Sequence, residues 1–318
     1  MSHQRSMVQR RGAGVWAVAW VVWGLAACNA PRPEAKPSGE GSGAPGLNLY
    51  RLVVAGRVGA PPPKLVVANG GGDDDSGRIA PDGNWFAFRT HRAGPAEIWI
   101  ARKDGTGARR LAAGMEEMGA PSWSPDAKWV VFHARKSGVL RLFAASPSAP
   151  GLREIPTPPT PSRQPVFSRD GKSIYFTQQA AGGGAQVARV GFDGQGYAVV
   201  REAATEAEES GSDGVTLYYS SGPSSGIFGV PLAGGKPKQV TPLGGDRQWA
   251  LSREALFVLD AEQKAVVRID LKTGHQSTAF VLPATFRLPA TGRALDVSAD
   301  ETWYLLPLDD GAAAGQPK

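Results

Sequence analysis

Pro81-Asp82-Gly83 followed by Trp85-Phe86-Ala87-Phe88 is one copy of a pattern that recurs along the chain. Pro125-Asp126-Ala127 precedes Trp129-Val130-Val131-Phe132, and Arg169-Asp170-Gly171 precedes Ser173-Ile174-Tyr175-Phe176. Ser212-Asp213-Gly214 precedes Thr216-Leu217-Tyr218-Tyr219. A weaker copy runs from Ser252-Arg253-Glu254 into Leu256-Phe257-Val258, and a last one from Ser298-Ala299-Asp300 into Trp303-Tyr304-Leu305-Leu306. Asp82, Asp126 and Asp170 stand 44 residues apart, and Asp213 follows 43 later. Asp accepts backbone N–H groups and Gly supplies positive φ, so each turn suits a strand hairpin. The short aromatic and β-branched runs suit strands.

Each unit continues with a third apolar run, such as Ile98-Trp99-Ile100 or Leu142-Phe143-Ala144, a second turn such as Asp104-Gly105, and a fourth short run such as Arg110-Leu111. Four strands in about 40 to 45 residues make one propeller blade. The last copy stops after two strands. Leu49–Val54 and Lys64–Val67 stand about one period before the third and fourth strands of the first full unit. The N-terminal strands are therefore expected to complete the C-terminal blade, closing the ring and pairing its open edges. The expectation is an all-β fold, a six-bladed propeller of four-stranded antiparallel blades: five complete units and one shared.

The Ser-Pro-Asp-Gly-like turn, the strand ending in Phe, the Ile-Trp strand and the Asp-Gly turn resemble the TolB-type propeller repeat, over roughly residues 48–309. Similar blades occur beside peptidase domains in dipeptidyl-peptidase-like enzymes. No counterpart of the helical N-terminal domain of TolB is expected in this sequence. The resemblance implies fold more than function.

The N-terminus points to a compartment. Arg5, Arg10 and Arg11 precede an apolar stretch over residues 12–27, which ends Leu25-Ala26-Ala27-Cys28. A basic start, an apolar middle and small residues at the end describe a secretory signal. The stretch is shorter than the ~20 residues of a comfortable membrane span. Cys28 is the only cysteine, so it has no disulfide partner within the chain. This segment resembles the bacterial lipoprotein signal, which implies cleavage before Cys28 and acylation of its thiol. Asn29 in place of aspartate implies, by the enterobacterial pattern, a lipid-anchored position at the outer membrane facing the periplasm. The division expected is 1–27 signal peptide, 28–47 Pro/Gly/Ser-rich tether, 48–309 propeller and 310–318 disordered tail.

Removing residues 1–27 takes away three arginines and no acid, which leaves 32 basic against 29 acidic residues. Nothing in that balance calls for nucleic acid. Gly222-Pro223-Ser224-Ser225-Gly226 fits the G-x-S-x-G pattern of serine hydrolases, but that motif needs a strand-to-helix elbow and here joins two strands. The histidines are His3, His91, His133 and His275, with no zinc-type spacing. Asp73-Asp74-Asp75 lacks calcium-loop spacing and reads as a solvated acidic loop. No catalytic set, metal or cofactor is expected.

The candidate surface is positional. Loops between blades carry Asp73, Asp74, Asp75, Glu116, Glu117, Glu206, Glu208, Glu209 and Asp246. Loops between second and third strands share that face and carry Arg89, His91, Arg92, Arg135 and Lys136. The expectation is an acidic ring edged by a basic sector, able to steer charged partners; charge that merely keeps the domain soluble is the plainer account. The leading reading is a non-catalytic envelope scaffold for a protein or peptide, for which a monomer suffices. The rivals are a polymer-degrading hydrolase or lyase at the channel mouth, testable at Glu117 and His133, and small-ligand or sugar binding in the channel.

Overall fold

The structure is a computed structural model that describes residues 48–53, 64–67, 74–92, 94–180, 182–202, 209–220, 225–244, 248–284, 287–288 and 294–308. The expected signal peptide, Cys28, the tether, the C-terminal tail and His3 lie outside the described residues.

Strands β1 (Asn48–Val53) and β2 (Lys64–Val67) come first. Blade 1 follows as β3 (Asp74–Ile79), β4 (Trp85–Thr90), β5 (Glu97–Arg102) and β6 (Arg109–Ala112). Blade 2 is β7 (Ser122–Trp123), β8 (Val130–Lys136), β9 (Val139–Ser146) and β10 (Ala149–Ile155). Blade 3 is β11 (Ser162–Phe167), β12 (Ser173–Gln179), β13 (Ala185–Gly191) and β14 (Ala198–Glu202). Blade 4 is β15 (Glu209–Ser212), β16 (Thr216–Ser220), β17 (Ile227–Pro231) and β18 (Lys238–Thr241). Blade 5 is β19 (Trp249–Leu251), β20 (Ala255–Asp260), β21 (Ala265–Asp270) and β22 (Gln276–Val281). Strands β23 (Asp296–Val297) and β24 (Trp303–Leu308) end the described chain.

The expected blade count is corrected in how the blades are made. As continuous runs of chain the blades number five, not six, each a four-stranded antiparallel meander. The remaining four-stranded sheet, ordered β2-β1-β24-β23, is composite and takes two strands from each end of the fold. Its junction pairs Asn48 with Leu308 and Val53 with Trp303, antiparallel and without a bulge.

The turns explain why the units repeat. Ser124 Oγ donates to Asp126 Oδ1 at 2.6 Å and accepts from the Trp129 N–H at 2.9 Å. The same pair of bonds recurs at Ser168, Asp170 and Ser173, and at Ser298, Asp300 and Trp303. The serine hydrogen bond is the main cause holding the Asp126, Asp170 and Asp300 carboxyls below their usual range. The residue after each aspartate is left-handed: Gly83 and Gly171 adopt φ of 67° and 71°, and Ala127 is forced to 57°.

Burial lies between blades. Phe132 and Val130 of blade 2 pack on Ala87 and Ile98 of blade 1. Val131 and Leu142 meet Ile174 and Phe176 of blade 3, and Tyr175 meets Leu217 and Tyr219 of blade 4. Tyr218 meets Trp249 and Leu256 of blade 5, and Phe257 meets Tyr304 and Leu306 of the composite sheet. Trp303 and Leu305 then pack on Phe86 and Phe88 of blade 1. Successive residues along each strand point to opposite faces of the sheet, so each blade feeds two seams and the series returns to its start.

The meander defines two faces. One carries the serine–aspartate turns and the hairpins between third and fourth strands, and is called the turn face. The other, the loop face, carries the hairpins between second and third strands and the connections between blades. Contacts at the turn-face ends of the blades agree across seams: Trp123 Nε1 of β7 donates to Arg78 O of β3 at 2.9 Å, and Ser252 Oγ donates to Glu301 Oε1 at 2.6 Å.

Candidate functional site

Blade 1 supplies the most developed polar cluster on the loop face. Asp74 and Asp75 open the innermost strand, β3, opposite Thr90 and Arg89 at the end of β4. They are buried, not solvated: Asp74 has no exposed surface and Asp75 retains 5%. This corrects the expectation of an acidic loop. The carboxylates find cations in the strand and hairpin that follow. Arg89 forks onto Asp75, with Nε 2.8 Å from Oδ1 and Nη2 2.5 Å from Oδ2. Arg92 Nη2 reaches both Asp74 oxygens, and Arg92 Nε donates to Thr90 Oγ1 at 3.1 Å. The Arg92 guanidinium lies over the Trp99 ring at 4.8 Å and near the Phe88 ring at 5.8 Å, stacking that holds its plane. Burial pushes the Asp74 carboxyl up to about 6, with Arg92 and Thr90 pulling the other way.

Glu97 extends the cluster. It is buried, accepts Trp99 Nε1 at 2.8 Å and pairs with Arg110 Nη1 at 3.3 Å. Beside it opens a groove of about 690 Å³, lined among others by Pro95, Glu97, Arg110, Met115 and Glu116.

Blade 2 repeats the theme at lower burial. Glu117 pairs with Arg135 Nε at 2.8 Å and also with its Nη2, and Lys136 Nζ lies 2.5 Å from Glu154. Glu116 is exposed and accepts the Arg135 N–H through its backbone oxygen. Such half-exposed pairs fix geometry more than they stabilise, contributing at most ~1 kcal/mol each. On these two blades Asp74, Asp75 and Glu117 of the expected acidic ring are paired with Arg92, Arg89 and Arg135 of the expected basic sector. Asp73, Glu206, Glu208 and Asp246 lie outside the described residues, and Glu209 opens β15.

His133 and Glu117 have separate partners. His133 is buried, and its Nδ1 accepts the Gln164 N–H of blade 3 at 3.1 Å, so it ties a seam together. In the G-x-S-x-G stretch, Gly222, Pro223 and Ser224 lie outside the described residues; Ser225 Oγ donates to Gly226 O at 3.2 Å. Among the described residues no cluster of three His, Cys, Asp or Glu side chains suits a metal, and no helix is long and apolar enough to cross a membrane.

Glu97, Trp99, Arg110 and Gln164 were not marked by sequence. Trp99 sits in an apolar run that reads as a strand. The available signal was an acid, Glu97, heading that run at the hairpin that also carries Arg92.

The arrangement is recognisable among known structures. TolB from Acinetobacter baumannii superposes with a TM-score of 0.56 at 17% identity, over 83% of this chain and 65% of that one. This chain thus spans less than two thirds of that protein. A chain of the nidogen/laminin complex superposes with a TM-score of 0.56 at 12% identity, over 75% of this chain and 94% of that one. At these identities the likeness is one of fold. A comparison with curated proteins finds no match. The family model of the TolB beta propeller domain matches residues 62–226, more than half of the chain. With its turns, its strand order and that match in agreement, the chain belongs to the TolB beta propeller domain family.

Proposed function

We propose that this protein is a lipid-anchored scaffold of the bacterial cell envelope, held at the outer membrane through acylated Cys28, whose propeller binds a protein or peptide on its loop face without turning it over. The observation that carries this reading is the pairing of charge on blades 1 and 2. Asp74, Asp75, Glu97 and Glu117 each hold a fixed arginine partner. Committed carboxylates shape a surface and set its pattern of charge, which favours specificity in association. General acid–base chemistry would instead draw on groups within reach of one reacting atom. The exposed members, Glu116 and the Glu117–Arg135 pair, are the ones a partner would meet first.

The test is affinity capture from envelope extracts with residues 29–318 as bait, beside a second bait carrying Glu116→Lys and Glu117→Lys. A partner held by the first and lost by the second, with both baits folded, is the expected result. Equal retention by both would move the interface off this face.

A further inference from the structure

The composite sheet fixes where the chain enters the propeller. Asn48 pairs with Leu308, the last residue of β24. In blade 1 the matching residue is Thr90, the last of β4, and it pairs with both Asp74 and Glu97. Asn48 and Leu308, the first and last described residues, therefore lie on the loop face, where the other sheets place a hairpin between second and third strands. This is the face of the Asp74–Arg92 and Glu117–Arg135 pairs.

We propose that the loop face is the one turned toward the lipid surface, and that the turn face looks away from it. The inference rests on the reading of Cys28 as the lipid anchor. With residues 28–47 read as the tether, a flexible coil of that length would span roughly 25 Å root-mean-square. The strands that separate the two faces are about six residues long, or roughly 20 Å. Turning the disc over would require the tether to pass the rim and travel that depth, using most of its typical span and losing much of its entropy. Charge opposes the orientation little, because Asp74, Asp75 and Glu117 are each neutralised by an arginine partner and would not repel an anionic bilayer strongly. A partner of the loop face then works in a gap of roughly 25 Å, and the turn face is open to the aqueous compartment.

Blade 5 offers a direct test, because Glu262 and Lys272 are exposed at opposite ends of β21. The full chain, expressed with its own N-terminus and placed in vesicles, carries Glu262→Cys or Lys272→Cys as its free thiol, Cys28 being acylated. Each cysteine receives a donor fluorophore, and its quenching by energy transfer is read with lipids bearing an acceptor fluorophore on the headgroup. Quenching several-fold stronger at position 262 than at 272 is expected. Equal quenching, or stronger quenching at 272, on chains whose Cys28 is acylated by mass spectrometry would overturn the orientation alone. An unmodified Cys28 would overturn the anchor and the orientation with it.

Discussion

Asp74 presents both carboxylate oxygens to one nitrogen of Arg92, at 3.1 and 3.0 Å, and does so with no exposed surface of its own. The two residues are 18 apart in sequence and are brought together by the first hairpin of blade 1. A buried carboxylate is costly unless paired and hydrogen-bonded. The pair is therefore a condition for placing acid at the inner end of β3.

Its pH dependence follows. The native Asp74 carboxyl titrates at about 6, raised by burial from the ordinary 3.8. Between those values the native chain holds more protons than the unfolded one, so this group's contribution to stability falls as pH rises from about 4 to about 6. Asp74→Asn removes that slope. The stability of the wild type relative to the variant is expected to be greater at pH 4.5 than at pH 7.5, by ~2 kcal/mol. Urea unfolding across that range checks it; parallel pH profiles would contradict it.

Arg92→Met leaves the Asp74 charge buried without its cation. The expected loss at pH 7.5 is about 3 kcal/mol, shrinking toward pH 4.5 as Asp74 takes up a proton. The double variant with Asp74→Asn is expected to recover part of it, giving a coupling energy in a double-mutant cycle.

Gly119 has a different constraint. A Cβ there would overlap the His133 imidazole ring. Gly119→Ala is expected to displace that ring, break its bond to the Gln164 N–H and cost about 2 kcal/mol. His133→Ala in the same chain opens the space, so the added cost of Gly119→Ala in that background is expected to be small in thermal unfolding.

Ring closure can be tested on its own. Deleting residues 48–67 removes β1 and β2 and leaves β24 with an unpaired edge beside Trp303 and Leu305. A markedly lower Tm and a tendency to associate through the open edge are expected. A deletion variant that unfolds at the wild-type temperature and stays monomeric would contradict the composite sheet.

The blades were legible because their signals are local: an Asp turn, an alternating apolar run, a hairpin. The shared sheet was legible because period alone places β1 and β2. The loop face was harder. Asp74 and Asp75 look like loop because an acidic run is rare in a buried strand, and burial is permitted by Arg92 and Arg89, 18 and 14 residues further on. No local pattern carries that pairing. Glu97 was hidden in the same way, since its partners are a tryptophan within an apolar strand run and an arginine in the next strand.

The central claim is that the loop face engages a partner. A photo-crosslinking residue placed at exposed Glu116 on that face, and at exposed Lys128 on the turn face, reports it in intact envelopes. A discrete crosslinked protein adduct from position 116 and none from 128 is the result the account predicts. An adduct from 128 alone, or the same adduct from both, would contradict it.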